Sequence, residues 1–372
     1  MDAVVDPGRI ELTPRQKLVL GLVVREYTRT AEPVGSKVLV EEFGLDVSPA
    51  TVRNEMAYLE QLGLLTHPHT SAGRVPTEWG YRYFVENIMP RRGLALADRL
   101  RIRHQFHQLG LQLEQWLQLS AAIVAEMVRN AAVVTAPRAA EARFKHLELI
   151  STYGNAILLV LVLQDGTVQQ QGLVASEALA QEALSSISDE LSRRCRGLTA
   201  AEIDALAQDD FSFAGEVLRV VAQLMRQGES SATQAYWEGV SYLLAQPEFR
   251  DADRAQKALG LLEGNDLVSA LVAGAAASEG ITVLIGGQFR DRLDLSSHGL
   301  VFSRYGVPPE LTGALGVLGP VRMHYEEVIP VVQYVAELLS DLVWHMFGPG
   351  EGRATRAEPG WAQAEQSAGG GV

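Results

Sequence analysis

The residues best suited to chemistry lie between Ser48 and Gln61. Read at about 100° per residue, Val52, Met56 and Leu59 share one helical face. Ala50, Arg53, Asn54, Ala57 and Gln61 share the other. The first face packs on neighbouring helices; the second carries groups that read base edges. Asparagine bonds adenine through two contacts, arginine does so with guanine, and small alanines let a helix approach and touch a thymine methyl. Ser48 and Thr51 stand at the N-terminal end, where hydroxyls and free N–H groups favour phosphate. A second group follows in the loop His67–Arg74, with His69, Thr70, Ser71, Gly73 and Arg74. Such donors on a loop suit backbone or minor-groove contact. Arg91, Arg92, Arg99, Arg101 and Arg103 come next, opposed only by Asp98, and would extend the cationic footprint.

Local signals dictate the elements that must hold these groups. Thr13 is a plausible N-cap with Pro14 at the first helical position, so Thr13–Thr30 reads as a helix. Pro33-Val34-Gly35 breaks it. Ser36 is expected to cap a short helix through Phe43, ended by Gly44. Ser48-Pro49 opens the third helix, which stops at Gly63. Leu64–Thr66 is strand-like, and Thr77 can cap a fourth helix through Met89. Helix, helix, turn, helix and a two-stranded wing make a winged helix-turn-helix, whose third helix enters the major groove. Many three-helix folds share that pattern, so a merely solvated Arg53–Asn54 face is the alternative.

Beyond the linker Pro90–Gly93, Leu94–Val134 reads as one long helical stretch. Strands are expected at Lys145–Ser151, Ala156–Gln164 and Thr167–Val174, with Asp165-Gly166 as a hairpin turn. Ser176–Arg194 is helical, and Gly197–Ala276 almost wholly so. Thr282–Gly286, Gly299–Tyr305 and Gly313–Val321 return to strand, and Ile329–Met346 closes with a helix. Residues 348–372 read as a disordered tail. The order predicts a multidomain α+β chain in which an α+β domain is interrupted by an all-helical insertion.

Composition narrows the function classes. The single cysteine, Cys195, excludes an intrachain disulfide and cysteine-rich zinc sites. Met1–Ile10 has no apolar core of a signal peptide, and Ala156–Leu163 is far shorter than the ~20 residues that span a bilayer. A cytoplasmic protein without membrane association is expected. The net charge of −13 argues against a phosphate-binding surface until it is divided. Residues 1–103 hold 14 basic and 13 acidic side chains, so nearly all the acidity belongs to the rest.

The run Glu32–Lys37, then Ser48–Ala57, Pro68–Arg74, Pro76-Thr77 and Gly80–Arg82 resembles the bacterial heat-inducible transcription repressor family HrcA. The resemblance continues through Tyr236–Ser241 with Pro247–Phe249, Gly316–Met323, Tyr325 and Val328–Pro330, so it covers roughly residues 10–347. Pro49 and Val52 stand where the family more often has Ser and Ile.

The resemblance implies a dimeric repressor of chaperone operons that binds an inverted-repeat operator, the CIRCE element, with the chaperonin GroEL keeping it active. It implies no catalysis and no cofactor, and it adds Ser36 and Lys37 to the DNA contacts. The implied architecture is a winged helix over 1–90, a helical linker over 91–137 and a GAF-like domain over 138–198 and 277–347. An inserted helical dimerisation domain occupies 199–276, where Tyr236, Trp237, Tyr242 and Leu243 would meet a twin subunit. The rival is a ligand-gated regulator using the GAF-like domain as a small-molecule sensor, with Gly286–Gln288 and Gly313–Gly316 at its pocket. The pairs His67/His69 and His104/His107 are too few ligands to close a metal site.

Overall fold

The computed structural model describes residues 10–68, 73–108, 112–139, 142–230, 234–278, 280–289, 296–307 and 311–347. The expected tail, 348–372, lies outside them.

The N-terminal unit comprises α1 (Pro14–Thr30), α2 (Ser36–Phe43), α3 (Pro49–Gln61), β1 (Leu65–Thr66), β2 (Val75–Pro76) and α4 (Glu78–Asn87). Caps set its boundaries. Thr13 forms a capping box with Gln16, Ser48 accepts from the Thr51 N–H, and Thr77 accepts from the Gly80 N–H. Ser36 departs from expectation: Gly35 is the N-cap and makes no side-chain cap bond, while Ser36 is a buried first-turn residue. Val52, Met56 and Leu59 are fully enclosed with Leu20, Val23 and Leu39. β1 and β2 pair antiparallel, Leu65 opposite Pro76.

α5 (Leu96–His107) and α6 (Leu113–Val128) follow, and then β3 (Ala131–Thr135). The single helical stretch expected over Leu94–Val134 is therefore two helices, the second ending at Arg129, whose left-handed backbone (φ 52°) caps α6. Ala131–Thr135 is buried at every position, a sheet-interior run that periodicity alone cannot tell from a buried helix.

β3 sits inside a five-stranded antiparallel sheet of order β7-β3-β10-β9-β8, with β7 (Ala235–Glu238), β8 (Ile281–Ile285), β9 (His298–Val307) and β10 (Leu311–Pro320). Alternation splits its side chains between two cores. Ala132, Val134, Val301 and Val317 face α6 and α13 (Tyr325–Phe347). Ala131, Val133, Phe302 and Leu318 face α10 (Val240–Leu244), α11 (Ala252–Glu263) and α12 (Asn265–Ala277). Gly313–Gly316, offered as a sensor pocket, is mostly buried β10.

Between β3 and β7 lies a separate unit: β4 (Phe144–Ser151), β5 (Ala156–Leu163), β6 (Val168–Val174), α7 (Gln181–Cys195), α8 (Ala200–Ala207) and α9 (Phe213–Ser230). Its core draws only on residues 142–225. The insertion is therefore α+β, and its limits differ from the all-helical 199–276 expected. α8 and α9 belong to it, whereas β7 and α10–α12 belong to the five-stranded unit. The reason is β7, four residues long, which pairs with β3 (Val133 opposite Trp237) across the whole insertion. Among the described residues no single helix is long and apolar enough to cross a membrane; the apolar pair α11–α12 bends by 60° and lays Leu267 and Leu271 on the sheet.

Candidate nucleic-acid interface

The outer face of α3 is presented as its spacing requires. Ala50, Arg53, Asn54 and Gln61 are exposed and Ala57 is half-buried. Neither Arg53 nor Asn54 is held by another side chain among the described residues, so both are available to an incoming base edge. Tyr58, 44% exposed, flanks the same face. Sequence reasoning passed it over because an aromatic reads as core; its position about 40° from Asn54 was the available signal.

Ser48 Oγ accepts from the Thr51 N–H at 3.2 Å and lies 3.0 Å from Thr51 Oγ1. One hydroxyl proton serves that pair, which leaves the other for a phosphate. Lys37 is exposed in the first turn of α2, whereas the Ser36 side chain is buried and reaches no external phosphate.

The wing divides the expected contacts. His69, Thr70 and Ser71 lie outside the described residues. Arg74 does not point freely outward: its side chain is only 13% exposed and donates from Nε and Nη2 to Glu60 Oε2 at 3.0 and 2.9 Å. His67 Nδ1 lies 2.7 Å from Glu60 Oε1. The hydrogen bond to His67 is the main cause that holds the Glu60 carboxyl below its usual range, with Arg74 adding to it. The Arg74 backbone exchanges two hydrogen bonds with Val34, at 2.9 and 3.0 Å. Arg74 thus anchors the wing root to the end of α3 and to the α1–α2 turn. Gly73 allows this approach, since a Cβ there would sit 2.7 Å from the Val34 backbone.

The reading head is bound to the body. Arg25 reaches Glu326 at 2.8 Å. The rings of Tyr81 and Tyr325 are 6.1 Å apart, and burial pushes both phenols far up, so they stay protonated. Glu78 accepts from the Gly287 N–H at 2.9 Å. Arg322, 9% exposed, donates from Nη1 to the Thr28 carbonyl at 3.0 Å, from Nη2 to Gln246 at 2.9 Å and to both oxygens of Glu248.

The other candidates resolve structurally. Tyr236 and Trp237 lie in β7, and Tyr242 lies under Arg129, 4.3 Å from guanidinium to ring. Leu243 is fully buried in its own chain's core, so it cannot meet a twin subunit. His146 pairs with Glu148 at 2.9 Å, and His104 with Gln108 at 3.2 Å. Among the described residues no three His, Cys, Asp or Glu are placed to hold a metal. Cys195 is buried, and that burial pushes its thiol up, outweighing the lowering from Arg194.

Comparison with known proteins agrees with this geometry. Residues 11–88 match the family described as winged helix-turn-helix transcription repressor, HrcA DNA-binding. Residues 114–329 match the HrcA protein C-terminal domain. The heat-inducible transcription repressor HrcA of Herpetosiphon aurantiacus is 44% identical over 347 residues, 91% of this chain and 97% of that protein. That of Roseiflexus castenholzii is 41% identical over 347 residues, 91% and 96% of the two chains. A crystallised hypothetical protein shares the fold with a TM-score of 0.54 at 23% identity, over 90% of this chain and 99% of that one.

Proposed function

The chain belongs to the HrcA family of heat-inducible transcription repressors, and from that premise we propose that it represses chaperone operons in the cytoplasm by docking α3 on an inverted-repeat operator. The observation that carries this reading is the exposed Arg53–Asn54 pair, unpartnered among the described residues, on a helix whose opposite face is locked into the core. The chain acts by occupancy rather than catalysis, with GroEL restoring the active form and heat removing it. We assign the GAF-like role to the five-stranded unit.

Operator two-fold symmetry calls for a two-fold protein. The dimer surface is the outer face of the β4–β6 sheet rather than the 199–276 block. There Leu158 stands opposite Ile150, Val162 opposite Val168 and Ala156 opposite Val174. Ile150, Val168 and Val174 are 41, 56 and 70% exposed, apolar side chains beside His146, Glu148 and Gln170 on a surface where antiparallel sheets normally carry mostly polar residues.

A gel-shift titration with an inverted-repeat operator, a half-site and a scrambled duplex, with and without GroEL, tests the reading. Preference for the intact repeat, strengthened by the chaperonin, is expected. Equal affinity for all three duplexes refutes operator recognition.

A further inference from the structure

A cleft of about 750 Å³ separates the winged helix from the body. That volume lies within the ~300–1,000 Å³ range of small-molecule sites. Its body wall is apolar: Ile281, Val283 and Ile285 point from one face of β8 toward Ile329 and Pro330 of α13. Its other wall is α4 and the Pro90–Gly93 linker, which bring Arg82, Arg91 and Arg92. Two carboxylates also line it. Glu326 is occupied by Arg25, which leaves Glu86 alone against three arginines.

Arg82 is the informative member. Its guanidinium stacks 4.6 Å from the Trp79 ring, and its Nε is buried with no hydrogen-bond partner among the described residues. A buried donor left unsatisfied is costly, and native proteins rarely keep one without a use. Burial disfavours its charged form, against the smaller pull of Glu78 and Glu86. An anion entering the cleft would relieve both costs, while its apolar part would cover the β8 and α13 side chains.

We propose that this cleft binds a small amphipathic anion, an apolar chain or ring ending in a carboxylate or phosphate, and that the bound anion clamps the winged helix onto the body. The clamp follows from the walls, which belong to different units joined by the linker. A ligand touching both stabilises the docked arrangement by mass action.

Calorimetry of the full chain with decanoate, decyl phosphate and 1-decanol reads the site, and the two anions separate carboxylate from phosphate sources. At least one anion is expected to bind with one-to-one stoichiometry and about tenfold more tightly than decanol. Arg82→Gln should weaken that anion about tenfold, and so should Arg91→Gln/Arg92→Gln, whose exposed positions leave folding intact. Anion at about five times its wild-type Kd should raise the wild-type Tm by about 2 °C and the variants' Tm by less than half as much. The proposal is overturned if neither anion binds at about 1 mM, if decanol binds equally well, or if the exposed double variant binds like wild type. Neither readout involves DNA, so a failure here is distinct from a failure of the operator reading.

Discussion

Among the described residues no side chain engages Arg53 or Asn54, so their worth must appear at a partner. Arg53→Ala and Asn54→Ala should each weaken operator binding by about 1–3 kcal/mol, relax specificity at one base pair, and change binding to random duplex less. Wild-type affinity for both variants in a competition gel shift would remove α3 from the groove. Glu60 has the opposite character: it holds the wing through His67 and Arg74. Its folded-state pKa is depressed, so its contribution is present above the unfolded carboxylate value and lost as pH falls through the folded one. Melting curves from about pH 5 to about pH 3 should show wild type losing more stability than Glu60→Gln.

For single elements, the decisive feature is how α3 begins. Ser48 closes its first turn from outside while Pro49 fixes the first helical residue. Ser48→Ala should cost about 0.5–2 kcal/mol of stability. It also removes a hydroxyl from the phosphate-facing end, so urea unfolding and operator titration should both register it. α4 does double work. One face packs Tyr81 and Phe84 into the core, its N-terminal Glu78 meets the body, and mid-helix Arg82 lines the cleft between the two. The head is therefore a docked unit rather than a tethered one.

For the whole molecule, Arg322 is the buried tie between head and body, shared by Thr28, Gln246 and Glu248. Arg322→Met strands a partly buried carboxylate and should cost about 3 kcal/mol, while Arg322→Met/Glu248→Met should recover most of it. Equal losses in the single and double variants, measured by denaturant melts, would contradict an ion-pair role. Assembly is tested on the bare β4–β6 face. Ile150→Glu/Val174→Glu alters only exposed positions and should yield a folded monomer in sedimentation velocity, with operator affinity reduced to that of a half-site. A persisting dimer would move the interface elsewhere. The charge division also acts at this scale. Residues 1–103, with 14 basic and 13 acidic side chains, on an acidic body attract phosphate weakly at long range. Binding should then rest on two base-specific contacts made together.

Much of the reading head was legible in the chain. The caps Thr13, Ser48 and Thr77, the two faces of α3 and the β4–β6 strands act within a few residues, where periodicity and capping chemistry operate. What only the tertiary structure decided is non-local. Pairing across the insertion makes Ala235–Glu238 a strand and moves the domain limits. A buried first turn withdraws Ser36, and one carboxylate, Glu60, turns Arg74 from a DNA contact into an anchor. Each outcome depends on which distant group arrives beside a residue, and local spacing carries no record of that neighbour.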